Sequence, residues 1–223
     1  MSKLGIIFDW DGVIIDSSKQ HEASWDRLAE EEHRELPPNH FIQGFGKKND
    51  WIIPEVLKWT EDPAEIKRLS LRKETLYRQI VKERGIAALP GVGEFLAMLH
   101  LHKIPCCIGS STERENIVTI LSVLKFETLF GGIVSADDVT LGKPNPEVFL
   151  KAAAKIERKP GHCIVFEDAF AGFEAAKNAG MKVVGVATTH SGRDLIDKVD
   201  RVVNRLDELS YKDLMELAAL PKH

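Results

Sequence analysis

Cysteine is scarce in this 223-residue chain: Cys106, Cys107 and Cys163 are all there is. All three lie inside apolar runs that read as buried strands. Two neighbours with no spaced partner set build neither a disulfide framework nor a zinc site, and a reducing cytoplasm is the compartment they imply. Long apolar runs are missing too. No stretch would span a bilayer, and the few apolar residues before Asp9 fall short of a signal-peptide core. Positive charge is not in excess either. Lys and Arg number 30 against 34 Asp and Glu, a formal net charge of -4. That balance excludes a global nucleic-acid or anionic-membrane surface and confines any basic pocket to a local feature. No Gly-x-Ser-x-Gly elbow surrounds Ser110 or Ser111, so a serine-hydrolase nucleophile lacks its setting. There is no internal repeat, no low-complexity tract and no heptad seam, and a monomer is expected.

What is present suits a soluble fold. Apolar residues make up 43% and charged residues 29%, and the length is enough to bury a sizeable core. The most informative run is Leu4-Gly5-Ile6-Ile7-Phe8-Asp9-Trp10-Asp11-Gly12, an apolar strand ending in two carboxylates one residue apart. Extended geometry points Asp9 and Asp11 to one side and Trp10 to the other. Open α/β sheets hold their ligands at such strand tips. Two converging acids there can hold a divalent cation and leave a carboxylate for chemistry. Asp-Gly after a strand is also an ordinary turn, so this run does not decide by itself.

From about residue 89 onward, helices and apolar strands alternate. Helices are predicted over 91–102, 112–125, 144–156 and 169–179, and strands over 104–109, 132–135, 163–166 and 183–186. This alternation predicts an α/β fold built on a doubly wound parallel sheet, a Rossmann-like core. Residues 17–85 hold no convincing strand but have amphipathic stretches at 19–32, 50–59 and 63–84. They are expected to form an all-helical cap domain inserted between the first strand and the rest of the sheet. The expected division is a core of residues 1–16 and 86–223 and a cap of residues 17–85, placed in the chain where a lid would be.

Three further strand ends carry polar groups. Ser110-Ser111-Thr112 follow a strand at a helix start, where a phosphate oxygen or a helix cap would suit equally. Gly142-Lys143-Pro144-Asn145-Pro146 follows, with Pro144 expected at a first helical position and Lys143 just before it. Finally Glu167 and Asp168 end an apolar strand as the opening acids do. Each is ambiguous alone. Parallel strands would bring all four to one edge of the sheet.

This set resembles the haloacid dehalogenase superfamily of phosphotransferases over nearly the whole chain. The subgroup it is similar to contains β-phosphoglucomutase and its phosphatase relatives, which carry a helical cap after the first strand. The resemblance implies a phosphoric monoester hydrolase. Asp9 would be the nucleophile that becomes an aspartyl phosphate, and Asp11 the general acid/base. Ser110, with Ser111, and Lys143 would bind the transferring phosphoryl group. Asp168 and Glu167 would complete a Mg²⁺ site with Asp9 and the main-chain carbonyl of Asp11. The partner implied is a small phosphorylated metabolite, with a phosphosugar mutase as the alternative.

Substrate choice would then come from the cap, where His21, near Ser17 at the hinge, Lys73 and Lys47 are candidates. By resemblance to β-phosphoglucomutase, His21 and Lys73 occupy matching places, and Lys47 stands where the mutase has an arginine. A lysine holds phosphate without the bidentate fork of arginine. The stretches Glu55-Val-Leu-Lys-Trp59, Leu71-Arg-Lys-Glu74 and Arg205-Leu-Asp-Glu-Leu209 resemble plant-type phosphatases of riboflavin synthesis, which act on 5-amino-6-(5-phosphoribitylamino)uracil. Among the decoys, His100 and His102 do not share a helix face and read as solvated. Trp25, Trp51 and Trp59 read as cap core.

Overall fold

The computed structural model describes residues 3–44 and 47–219. Its contacts divide the chain into two compact units, Met1–Asp16 with Ala87–His223, and Ser17–Ile86.

In the first unit, the described residues form one six-stranded sheet with all neighbours parallel. The strands are β1 (Gly5–Phe8), β2 (Cys106–Gly109), β3 (Ile133–Val134), β4 (Cys163–Glu167), β5 (Lys182–Val186) and β6 (Arg201–Val203). Their spatial order is β3-β2-β1-β4-β5-β6, the doubly wound order in which the chain reverses direction beside β1. Register explains why these runs are apolar throughout rather than alternating. Ile7 pairs with Cys107 and Val165, and Val165 with Val183; all four lie in one buried cluster with Phe149 and Phe173. The next residue along, Phe8, pairs with Ile108 and Phe166, and its ring meets those of Phe95, Phe130 and Phe166 at 5.2–6.1 Å. Both faces are covered, as a parallel sheet requires. Each buried phenylalanine contributes about 1.5–3 kcal/mol by leaving water.

The helices of this unit are α5 (Val92–Leu101), α6 (Arg114–Leu124), α7 (Glu147–Lys155), α8 (Phe170–Asn178), α9 (Gly192–Leu195) and α10 (Tyr211–Ala219). Strand β6 and helices α9 and α10 add to the elements expected. Helix α7 starts at Glu147, not at Pro144. Pro144 and Pro146 have no N–H to give, the Asn145 N–H closes a turn on the Gly142 carbonyl at 3.0 Å, and the Asn145 side chain accepts from Glu147 N at 3.0 Å. Lys143 therefore sits in a loop, joined to Pro144 by a cis peptide. Cys106, Cys107 and Cys163 are free and buried. Burial pushes the thiols of Cys106 and Cys107 up to about 12 and that of Cys163 to about 11, which leaves them unreactive.

The second unit holds α1 (Ser18–Glu32), α2 (His40–Gly44), α3 (Asn49–Trp51) and α4 (Pro63–Arg84). A π-helical turn over Ile52–Leu57 contains Pro54. Asp62 caps α4, accepting from Ala64 N and Glu65 N at 3.2 and 3.3 Å, with Pro63 at the first position. Trp25 and Leu28 of α1 pack with Leu69 and Leu76 of α4 and with Ile52, Ile53, Val56 and Leu57. The spacings of three in α1 and seven in α4 put each of these pairs on one helix face. Trp59 packs against this cluster as expected, but Trp51 does not: it is 43% exposed. Its ring carries the Lys47 ammonium at 5.4 Å instead, while the next two residues, Ile52 and Ile53, take the buried places. No helix among the described residues is long and apolar enough to cross a membrane.

Candidate active site

Parallel strands deliver their last residues to one edge, and the sheet order puts β1 between β2 and β4. Asp9 follows β1 and is held in the ladder by its N–H to the Phe166 carbonyl at 2.9 Å. The chain then turns back at once. Ile14 N and Ile15 N return to the Trp10 carbonyl at 2.9 and 3.2 Å, and Gly12 takes a φ of +77° that favours glycine. Trp10 goes to the interior and is wholly buried, which anchors the turn between the two acids.

Asp9, Glu167 and Asp168 form a buried acidic group whose nearest oxygens lie within 4.8 Å of one another. Lys143 reaches into it from the β3–α7 loop and donates to Asp9 Oδ1 and Glu167 Oε1, both at 2.7 Å. Phe149 lies under the ammonium at 4.9 Å. Three acids against one lysine is an unbalanced set. Burial, reinforced by Glu167 and Asp11, pushes the Asp9 carboxyl up to about 7 against the charge of Lys143. Burial, then Asp9 and Glu167, push Asp168 up to about 8. Burial alone would lower Lys143, but Asp9 and Glu167 outweigh it and hold the ammonium above the usual lysine range. A hard divalent cation offsets such an excess of oxygen charge, and three carboxylates within bridging distance fit one.

Glu167 has a larger part in this arrangement than its sequence position suggested. Its Oε2 accepts from Asp168 N and Ala169 N at 2.6 and 2.7 Å while Oε1 binds Lys143. A Cβ on Gly172 would overlap this carboxylate, so a glycine one turn into α8 makes its seat. The Asp11 carboxylate stands apart from the acidic group: its Oδ2 accepts from Thr112 Oγ1 at 2.7 Å. Helix α6 begins at Arg114, two residues later than expected: Glu113 before it is extended, and Thr112 N is held on Ser110 Oγ at 3.1 Å. Ser110 is buried at the end of β2, its N–H on the Val134 carbonyl at 2.9 Å, whereas Ser111 is exposed.

His21, Lys73 and Lys47 belong to the helical unit. Lys73 is buried, and its ammonium lies 2.7 Å from His21 Nδ1 and 2.8 Å from Glu74 Oε1. An ammonium has no lone pair, so His21 accepts at Nδ1 and carries its proton on Nε2. Burial and then Lys73 lower His21 to about 3. Asn49 Nδ2 holds the same Glu74 oxygen at 2.8 Å. Glu74 and Asn49 were not singled out from sequence; only the adjacency of Lys73 and Glu74 hinted at the pair. Lys47 is not part of this cluster but lies over Trp51, and the preceding Phe45 and Gly46 lie outside the described residues. His100 and His102 are exposed as expected, His102 stacking on Tyr211 at 4.0 Å.

Comparison with known proteins agrees with this geometry. The chain is 38% identical over 218 residues to the chloroplastic 5-amino-6-(5-phospho-D-ribitylamino)uracil phosphatase of Arabidopsis thaliana, covering 96% of this chain and 58% of the plant protein. It is 32% identical over 223 residues to β-phosphoglucomutase of Bacillus subtilis, covering 95% of this chain and 93% of that one. A crystal structure of a HAD hydrolase, family IA, variant 3 from Entamoeba histolytica superposes with a TM-score of 0.85 at 25% identity, over 97% of this chain and 100% of the other. A family profile described as haloacid dehalogenase-like hydrolase matches residues 6–186. With Asp9 after β1, the lysine of the β3–α7 loop and the acids Glu167 and Asp168 at the end of β4 meeting at one sheet edge, this chain belongs to the haloacid dehalogenase-like hydrolases.

Proposed function

We propose that the chain is a Mg²⁺-dependent phosphatase of a small phosphorylated metabolite, acting through an aspartyl phosphate on Asp9. The observation that carries this reading is the Lys143 ammonium bridging Asp9 and Glu167 within a buried acidic group. A phosphate dianion repels an attacking carboxylate, so the nucleophile needs positive charge beside it. Lys143 is a fixed one. Asp9, Glu167 and Asp168 would hold the Mg²⁺, with the Asp11 carbonyl, and the ion would neutralise phosphoryl oxygen charge when bound.

An Asp9 oxygen attacks phosphorus, and the bond from phosphorus to the ester oxygen breaks as Asp11 gives that oxygen a proton. Water then attacks the phosphorus and gives a proton to Asp11. The bond to Asp9 breaks, releasing inorganic phosphate and restoring both side chains. Ser110 and Ser111 lie after β2, where hydroxyl and backbone N–H groups suit phosphoryl oxygens. Among the groups of the helical unit, His21, Lys73 and Lys47 are the candidates for substrate choice.

The plant relative acts on a ribitylaminouracil phosphate, and the segments ending in Trp59, Glu74 and Leu209 favour that class alongside sugar phosphates. The free buried cysteines support a reducing, cytoplasmic setting, and a monomer is the state this reading takes. Phosphate release should be measured with and without Mg²⁺ over ribityl-pyrimidine phosphates, sugar phosphates and nucleotides, with Asp9→Asn as blank. Mg²⁺-dependent release without a bisphosphate primer is the expected result. Phosphosugar isomerisation that needs such a primer, with no net release, would replace this reading with the mutase.

A further inference from the structure

Three consecutive residues after β5 each reach a different part of the acidic edge. Thr188 Oγ1 donates to the Gly12 carbonyl at 2.5 Å. Thr189 Oγ1 donates to Asp168 Oδ2. The His190 ring stacks on Phe170 in the first turn of α8, centroids 4.1 Å apart and planes 22° from parallel. One short run thus ties together the turn after β1, the carboxylate at the end of β4 and the helix that follows it. Gly12 lies close to the same acid: a Cβ there would overlap Asp168 Oδ2.

Hydroxyls after a strand commonly satisfy their own loop or the next helix. Both threonine hydroxyls are exposed residues with water at hand, yet both are used on groups of the acidic edge. A carboxylate has about four lone-pair positions and rotates about its last bond. The Thr189 bond holds Oδ2, on the side where Gly12 leaves room for no Cβ, so rotation of Asp168 would break that bond. Thr188 fixes Gly12, and the His190 stack fixes the loop that carries both threonines.

We propose that Thr189, braced by Thr188 and His190, is a positioning residue that orients the Asp168 carboxylate for a divalent cation. The inference rests on the Mg²⁺ reading of the site given above. Partners that orient metal-ligating carboxylates typically carry a 10- to 100-fold effect on metal affinity.

The test is calorimetric titration of the full chain with Mg²⁺ alone, no substrate present. Thr189→Val keeps the branched shape and removes the hydroxyl; it should weaken Mg²⁺ binding about 10- to 100-fold. Thr189→Ser retains the hydroxyl and should bind near the wild-type value. Thr189 is exposed, so neither change opens a cavity, and a melt in metal-free buffer verifies the fold. Unchanged affinity in Thr189→Val overturns the inference, as does an equal loss in Thr189→Ser. A wild-type chain that binds no Mg²⁺ overturns instead the reading of the site on which the inference rests.

Discussion

Lys143 donates to Asp9 Oδ1 at 2.7 Å across 134 positions of sequence, and both side chains are almost withdrawn from solvent. In the proposed reading this pair sets the nucleophile and its charge partner before any substrate arrives. Lys143→Ala should lower kcat by about 10²–10³-fold, the usual effect of removing one preorganised group that stabilises developing charge. A KM change with kcat intact would show that Lys143 only binds ground-state phosphate.

The same cluster predicts a stability change of opposite sign to the activity change. Asp9 is raised from 3.8 to about 7, chiefly by burial. Its folded form therefore binds a proton that the unfolded chain releases, and the stability this contributes is lost as pH rises from about 4 through 7. Asp9→Asn carries no such charge and still leaves Lys143 its bond to Glu167. In metal-free buffer at pH 8 Asp9→Asn, expected to be inactive, should be more stable than wild type, on the order of 1–3 kcal/mol. Denaturant unfolding reads this directly, and a less stable Asp9→Asn would contradict it.

Two glycines separate close approach from simple permissiveness. A Cβ at Gly172 would overlap the Glu167 carboxylate, whereas at Gly93 in α5 it would meet nothing within 4 Å. Gly172→Ala must move Glu167 off Lys143 and off the two N–H groups it accepts, so it should cost about 1–3 kcal/mol and lower activity with it. Gly93→Ala should stabilise by about 0.5–1 kcal/mol through a stiffer unfolded chain and leave activity alone. Thermal melts and phosphate release on both variants test the contrast.

The sheet and its acids were legible because parallel strands are buried on both faces. Runs such as Cys163–Glu167 and Lys182–Val186 are nearly unbroken apolar stretches, and the acids that end the first of them stand out. Strand β6 was not legible: it has three residues, Arg201 is exposed and only Val203 is buried. The register of α7 was misread because a proline at a helix start is common. Here two prolines flank Asn145, and its side chain accepts from Glu147 N, where the helix begins. Longer-range pairings leave no local trace. Thr112 on Asp11 spans 101 positions and His21 on Lys73 spans 52, and single-residue patterns carry no information on which distant partner a hydroxyl or imidazole meets.

That last pairing predicts how acid acts on the helical unit. His21 is lowered from 6.5 to about 3 by burial and by Lys73. Burial alone would raise Glu74, but Lys73, His21 and the hydrogen bond from Asn49 bring it down to about 2. Below pH 6.5 the unfolded chain takes up a proton on His21 that the folded chain refuses. The stability His21 contributes is therefore complete above 6.5 and falls as pH drops toward 3, by up to about 1.4 kcal/mol per pH unit. Glu74 adds a second loss of the same sign below about 4.5, as pH falls toward its folded value. The raised acids of the first unit act oppositely over part of this range, so the comparison that isolates His21 is wild type against His21→Asn, an uncharged variant. The stability difference between them should shrink steadily from pH 7 to pH 5 in denaturant titrations. A difference independent of pH would mean that His21 takes up its proton alike in the folded and unfolded chains, and the hydrogen bond from Lys73 to its Nδ1 would have to be abandoned.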